Sequence, residues 1–173
     1  MPLESPVGFL TTLEETVAIA RRTSVSLEAM FTTPVLLVVA PMEPWVEVTA
    51  VRTAVKPDME EDSVTMMPTL VFRIESKRPG AIAFGRGSGD LLMPFAAMSK
   101  QHGSFVEKNG EWFVSDVGSK NGTYVNGHKV QGDALAPVRD KATLRFGDVS
   151  ARFLLPRSFC EDLRRRMHPS QQL

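Results

Sequence analysis

The sequence has almost no cysteine and no long apolar run. Cys160 is the single cysteine among 173 residues, so no disulfide can close within the chain. This agrees with a reducing compartment, and we expect a cytoplasmic protein in which Cys160 is a small buried apolar residue. The longest apolar run, residues 35–40, is far shorter than the roughly 20 residues of a membrane-spanning helix. Glu4 stands where a signal peptide would carry basic residues. We therefore predict no membrane segment.

Net charge is also absent, because 20 basic residues balance 20 acidic ones. The molecule as a whole therefore does not attract nucleic acid or an anionic membrane, and any anion site must be local. Residues 164–166 are three arginines without interleaved aromatic residues, which we interpret as a solvated helix end and not a nucleic-acid surface. His102, His128 and His168 lie far apart with no metal-ligand spacing. No metal and no cofactor are predicted.

Residues 1–68 are predicted to form an N-terminal extension. Apolar positions in residues 11–30 recur at helical spacing, and Thr12 with Glu15 forms a T-x-x-E capping box, so one or two short helices are expected. Pro34 ends them. The strand predicted at residues 35–40 is too apolar for a surface position and should pack against the main domain.

The rest of the extension is more polar. Residues 45–55 alternate weakly, as a strand would, and residues 56–63 are acidic and turn-prone, which indicates an exposed loop. The sequence leaves open whether the extension completes the packing of the main domain or forms a separate binding surface.

From residue 69 onward the pattern is one of short strands separated by turns, which favours an all-β antiparallel sandwich. Asn109-Gly110 and Asn126-Gly127 predict tight hairpins, because type I′ turns need positive φ at both central residues. Residues 131–141, which include Pro137, are interpreted as a loop. Strands are predicted at residues 69–74, 81–84, 91–94, 104–107, 111–114, 123–125, 128–130, 142–146 and 150–155.

The C-terminal segment, residues 156–173, is predicted to be a short helix and a tail. Phe159, Leu163 and Met167 fall on one helical face within residues 158–167. The main domain is accordingly placed at residues 69–155.

Three polar clusters stand in a row on predicted loops of this domain. They are Gly85-Arg86, then Ser99-Lys100-Gln101-His102, then Ser119-Lys120-Asn121-Gly122-Thr123 followed by Asn126-Gly127. A phosphate monoester carries about two negative charges and three acceptor oxygens, so a small site for it needs a fixed fork of donors. An arginine supplies that fork, while serine and lysine add a hydroxyl donor and a second cation.

In order and spacing, these clusters resemble the signature of forkhead-associated (FHA) domains, and the match covers residues 69–155. The resemblance implies that Arg86 and Ser99 contact a phosphate, with Lys100 as a second cation beside them. It also implies that Lys120 reaches the phosphate or the peptide, and that Asn121 clamps the peptide backbone through the donor and acceptor of its amide. It also implies structural roles, in which ring nitrogens of His102 tie loops together and Gly85 permits a tight turn. The other residues with structural roles by resemblance are Gly122, which should need an unusual φ, Thr123, Asn126 and Gly127.

The function implied by this resemblance is phosphothreonine-dependent protein binding without catalysis. The protein would be an adaptor in signalling, and its partner a Ser/Thr protein kinase or a substrate of one. Two departures stand out: Lys100 replaces a common arginine and loses bidentate geometry, and Asp140-Lys141 stands where Gly-Asp is common, which suggests a changed turn. Preference for threonine over serine rests on the resemblance alone.

Several alternatives remain open at this point. An FHA fold can serve as a phosphate-independent scaffold, and a more remote alternative is a hydrolase built on Ser99, His102 and Asp116. Residues 87–90 are interpreted as a plain turn and not a nucleotide-binding loop. Thr53 and Thr65 flank the acidic loop and form a hypothetical internal ligand when phosphorylated.

Overall fold

A computed structural model describes residues 11–39, 69–76 and 78–168. The weak strand predicted at residues 45–55, the acidic loop at 56–63, and Thr53 and Thr65 lie outside the described residues. In chain order the elements are β1 (Thr11–Thr12), α1 (Leu13–Arg22), α2 (Leu27–Met30), β2 (Val35–Val39), β3 (Thr69–Arg73), β4 (Ile82–Gly85), β5 (Leu91–Leu92), β6 (Gly103–Lys108), β7 (Glu111–Asp116), β8 (Thr123–Val125), β9 (His128–Lys129), β10 (Ala136–Val138), β11 (Thr143–Phe146), β12 (Val149–Leu154) and α3 (Pro156–Met167).

The strands form two sheets that pack face to face. Sheet A has the order β1-β3-β2-β12-β11-β8-β9, and sheet B has the order β10-β7-β6-β4-β5. Neighbouring strands are antiparallel except for the short pair β4 and β5. Apolar side chains from both sheets fill the space between them, with Phe84, Phe105 and Phe146 in mutual ring contact. The predicted antiparallel β-sandwich is confirmed.

The most apolar run of the sequence forms strand β2. It lies between β3 and β12, so that Leu36 is paired with both Phe72 and Phe153. Leu36 and Val38 belong to the core between the sheets, whereas Val35 belongs to a second core under the helices. A strand covered on both faces needs apolar residues at successive positions. Residues 35–39 of the N-terminal extension are therefore part of the sheet itself.

The helices cover the part of the outer face of sheet A that is formed by β2, β3 and β12. The capping box of α1 is confirmed, since Glu15 N–H donates to Thr12 Oγ1 (3.1 Å) and Thr12 N–H donates to Glu15 Oε2 (3.0 Å). The predicted C-terminal helix is α3, which buries Phe159 and Leu163 as expected. Cys160 is 1% exposed and free, as the sequence indicated. This layer gives sheet A a second hydrophobic core.

Part of the loop prediction for residues 131–141 was wrong. Ala136–Val138 forms strand β10, which pairs with β7, and Pro137 lies opposite Phe113. Strand β10 is at the edge of sheet B. Proline is tolerated there because half of the N–H groups on an edge strand point away from the sheet and make no ladder hydrogen bond.

The turns predicted from Asn-Gly pairs are confirmed by their backbone angles. Asn109 and Gly110 have φ of 54° and 80°, and Asn126 and Gly127 have φ of 49° and 84°. The residue after Asp140, Lys141, also has positive φ, at 65°. Positive φ at both central residues matches the twist of the flanking strands.

The turn at Asp140 also connects the sandwich to α3. The helix begins after Leu155, which makes no side-chain capping hydrogen bond. Asp140 provides the carboxylate instead, accepting from Leu155 N–H (2.9 Å) and from Ser158 Oγ–H (2.5 Å). A carboxylate beside the first turn of a helix satisfies otherwise unpaired donors and favours the positive end of the helix dipole. The changed turn expected at this position thus has a structural role.

We predict that Asp140→Ala lowers the free energy of unfolding by about 1–2 kcal/mol, because the first turn of α3 loses its carboxylate acceptor. Chemical denaturation measures this, with Asp133→Ala as the matched control, since Asp133 is exposed and makes no side-chain hydrogen bond among the described residues. Equal stability of the two variants would contradict the capping role.

Candidate functional site

The three polar clusters meet at one end of the sandwich. They lie in the loops after β4, before β6 and after β7, and they border one groove of about 290 Å³. Its lining residues are Arg86, Ala96, Ala97, Met98, Ser99, Lys100, Lys120 and Asn121. All five residues to which the resemblance assigned peptide contacts therefore border the same groove.

Gly85 is needed for close approach of two loops. A side chain at Gly85 would overlap the carbonyl group of Lys100. Its φ is not positive, so the tight turn expected from the sequence is not the reason for a glycine here. The next residue, Arg86, donates its backbone N–H to Ser99 O (3.0 Å), which holds the loops after β4 and before β6 together.

The cations of the groove have no carboxylate partners. Within the described part of the chain, no ion pair involves Arg86, Lys100 or Lys120, and Arg86 Nε is buried without a hydrogen-bond acceptor. The arginines of α3 behave differently, since each one pairs with an acidic residue of α2 or α3. A buried donor without an acceptor is costly, and an anion in the groove could accept a hydrogen bond from Arg86 Nε–H.

Ser99 is oriented by the neighbouring loop. Its Oγ accepts a hydrogen bond from Lys120 N–H (2.9 Å). The hydroxyl hydrogen is consequently left to donate to another acceptor. Because the bond joins the loops before β6 and after β7, it also sets the distance between Ser99 and Lys120.

Asn121 already uses one of the two N–H donors of its amide. Its Nδ2 donates one hydrogen bond to Ala97 O (2.7 Å), which fixes the side chain against the loop before β6. The second N–H of Nδ2 and the Oδ1 acceptor have no protein partner among the described residues. Asn121 therefore keeps the donor and the acceptor that the implied clamp needs.

His102 lies beneath the groove and is fully buried. Its Nδ1 accepts from Ser99 N–H (3.1 Å), while Nε2 faces Asp116 Oδ2 at 3.9 Å. Burial lowers the pKa of His102 below its ordinary value, and the nearby charge of Asp116 offsets only part of this effect. A neutral ring thus supports the loop that carries Ser99.

Asp116 is the structural residue that sequence reasoning missed. Its Oδ1 accepts from the N–H groups of Gly118 (2.9 Å) and Ser119 (2.7 Å), and its Oδ2 accepts from the hydroxyls of Ser119 (2.6 Å) and Thr123 (2.8 Å). Burial raises the pKa of Asp116, but these hydrogen bonds prevail and hold the pKa below its ordinary value. An aspartate whose side chain can bond the backbone two residues on is a known turn signal, and Gly118 and Ser119, two and three residues after Asp116, could have indicated this role.

The remaining residues of the motif support the loop from outside the groove. Gly122 has φ of 80°, as expected, and Thr123 is buried against Asp116. Asn126 Oδ1 accepts from Thr143 N–H (2.9 Å), and this bond ties the turn between β8 and β9 to β11. Gly127 completes that turn.

The geometry needed by the hydrolase alternative is not formed. A Ser nucleophile must donate its hydroxyl to the histidine base, but His102 Nδ1 accepts the backbone N–H of Ser99 instead.

The turn at residues 87–90 leads into the strand β5. A nucleotide-binding loop would instead lead into a helix. Asp90, the last residue of this turn, accepts hydrogen bonds from Ser76 Oγ–H and Ala83 N–H through its carboxylate.

The described ranges contain neither a metal-binding cluster nor a membrane-spanning helix. No group of three or more His, Cys, Asp or Glu side chains there could hold a metal ion. None of the helices described is both long and apolar enough to cross a membrane.

The family of the sandwich follows from a comparison with family models. Residues 82–147, which contain every loop of the groove, match the model described as FHA domain. This part of the chain is an FHA domain. A search of curated proteins found no match.

Solved structures with similar folds include other FHA proteins. Mycobacterium tuberculosis EmbR in complex with a low affinity phosphopeptide is 22% identical, with a TM-score of 0.40, over 44% of this chain and only 20% of EmbR. The FHA domain of CT664 from Chlamydia trachomatis is 17% identical, with a TM-score of 0.47, over 70% of this chain and 95% of that one. The N-terminal FHA domain of S. cerevisiae Rad53p, in complex with a phosphothreonine peptide, is 13% identical, with a TM-score of 0.48, over 75% of this chain and 98% of that one.

The lowered pKa values of His102 and Asp116 predict that acid destabilises the domain. Both groups bind protons more weakly in the folded state than in the unfolded state. The free energy of unfolding should therefore fall as the pH drops below about 6.5, through His102, and fall further below about 4, through Asp116. Urea denaturation over a series of pH values measures this.

Asp116→Asn provides the test of the acid-range contribution. The free energy of unfolding of this variant should be about 2 kcal/mol lower at neutral pH, because four donors lose a charged acceptor. It should also depend less on pH below about 5, because the titrating carboxylate has been removed. The control is Asp133→Asn, at an exposed position. An unchanged pH profile in Asp116→Asn would contradict the role given to this carboxylate.

Proposed function

We propose that the FHA domain binds phosphothreonine-containing segments of partner proteins, and that the protein is an adaptor in Ser/Thr kinase signalling. The partner would be such a kinase or one of its substrates. The observation that carries the proposal is the convergence of five polar side chains on one groove, in which Arg86 Nε is buried without an acceptor among the described residues. The five residues are Arg86, Ser99, Lys100, Lys120 and Asn121. The proposal keeps the cytoplasmic location expected from the sequence.

The donors of the groove match the chemistry of a phosphate monoester. Arg86 offers a planar fork for two oxygens, and the free hydroxyl hydrogen of Ser99 can donate to a third. Lys100 and Lys120 balance the remaining negative charge. No covalent step is needed, so these groups account for binding and not for catalysis.

The groove also offers contacts for the backbone and the methyl group of a phosphothreonine residue. Asn121 Oδ1 can accept the N–H of the bound backbone, since only Nδ2 of this side chain is engaged. Ala97 and Met98 give the groove an apolar wall. A threonine methyl packed there would gain apolar contact that serine cannot make. This wall is the candidate niche for threonine selectivity, which the sequence alone did not locate.

The test is a titration of phosphothreonine peptides followed by fluorescence anisotropy, with unphosphorylated and phosphoserine peptides for comparison. Arg86→Ala should raise Kd about thirtyfold or more, which corresponds to about 2 kcal/mol for a lost charged hydrogen bond. Arg86→Lys should recover only part of the affinity, because it restores the charge without the fork.

The matched control is Arg157→Ala, which removes the same charge from α3, where the side chain of Arg157 is 91% exposed. It should bind as the wild type does. Equal binding of phosphorylated and unphosphorylated peptides, or binding of phosphopeptides that survives Arg86→Ala, would contradict the proposal. The first result would instead favour a phosphate-independent scaffold.

A further inference from the structure

A second set of cations lies next to the groove on the outer face of sheet A. Lys129, Tyr124 and Arg145 are direct cross-strand neighbours on β9, β8 and β11, and we call them the outer row. The residues on either side of Tyr124, which are Thr123 and Val125, are buried. Because side chains alternate between the two faces of a strand, the outer row points away from the sandwich core.

The outer row is continuous with the groove through Gly122. A Cβ atom placed on Gly122 would lie 3.1 Å from Lys129 Cε and 3.3 Å from the Tyr124 ring. Gly122 directly follows Asn121, which borders the groove. The end of the Lys129 side chain thus lies over the backbone at the rim of the phosphate site.

Arg145 is held in place, whereas Lys129 is free. The Arg145 guanidinium lies 3.6 Å from the centre of the Tyr124 ring and donates through Nη1 to Gly147 O (2.8 Å). Lys129 is exposed and makes no hydrogen bond or ion pair with its side chain among the described residues. Its ammonium group is consequently available to a ligand.

The charge near the groove exceeds what one phosphate balances. The groove is bordered by three cationic side chains, which are Arg86, Lys100 and Lys120. The outer row adds Lys129 and Arg145. A phosphate carries only about two negative charges. The carboxylate of Asp116 is nearby, but it is buried and engaged in four hydrogen bonds. Asp148 is exposed in the turn after β11 and makes no described ion pair. The surface remains positive overall.

We propose that the partner segment carries a second anionic group close to its phosphothreonine, and that Lys129 binds this group and thereby selects the partner. This inference rests on the proposed function of the groove. The second anion is a carboxylate or another phosphate, which share the chemistry that Lys129 recognises. Charge complementarity across a surface favours such partners and suppresses basic ones.

The experiment uses a phosphothreonine peptide with neutral flanks, in which a single Asp or the neutral Asn is placed at each flanking position in turn. At one position Asp should lower Kd about two- to fivefold relative to Asn, as expected for an exposed ion pair. Lys129→Met should abolish this preference, and raised salt should weaken it. Phosphoserine placed at the same position distinguishes a second phosphate from a carboxylate.

Lys108→Met is the matched control, because Lys108 is exposed at the opposite end of β6 from the groove. It should retain the preference for Asp. Lys129→Glu should reverse the preference, so that a peptide with Lys at that position binds better than one with Asp. Thermal unfolding of each variant verifies that the fold is intact.

The outcomes separate this inference from the proposed function. If no peptide binds in a phosphate-dependent way, the proposed function fails, and the inference fails with it. If binding depends on the phosphate but Asp and Asn are equal everywhere, or if the preference for Asp survives in Lys129→Met, the inference alone is overturned.

Discussion

The groove depends on one buried carboxylate. Asp116 accepts three hydrogen bonds from the loop after β7 and a fourth from Thr123 at the start of β8. The same loop orients Ser99 through Lys120 N–H. His102 lies between Asp116 and the loop before β6. These contacts join the loops before β6 and after β7, and Arg86 N–H, which donates to Ser99 O, joins the loop after β4 to them. Loops held at fixed distances leave less entropy for a bound ligand to offset. These contacts lie beneath the groove and support the residues that border it.

The distribution of charge divides the molecule into two regions. The arginines of α3 pair with acidic residues of the helical layer, so their charges are balanced within the fold and contribute little to stability at exposed positions. The cations of the groove and the outer row lack such partners in the part of the chain that is described. A net charge of zero therefore conceals a local positive surface. The proposed function assigns these unpaired cations to ligand binding.

The sandwich and its loops were largely predictable, because local signals coincided with tertiary structure. Asn-Gly pairs specify hairpins through backbone sterics, and the apolar run at residues 35–40 indicated a strand that packs against the main domain. Strand β10 was missed because Pro137 argues against a strand unless its place at a sheet edge is known. The reason for Gly85, the engaged Nδ2 of Asn121 and the capping by Asp140 depend on contacts distant in sequence. No local pattern reports such contacts.

The most direct measurement is a two-dimensional NMR titration of the ¹⁵N-labelled protein with a phosphothreonine peptide and its unphosphorylated form. Amide resonances of Arg86, Ser99, Lys120 and Asn121, which border the groove, should shift with the phosphorylated peptide only. Amides at the surface between α1 and α3, including Val25 and Arg165, should remain unchanged. Shifts confined to that helical surface, or equal shifts with both peptides, would contradict a phosphate-binding groove.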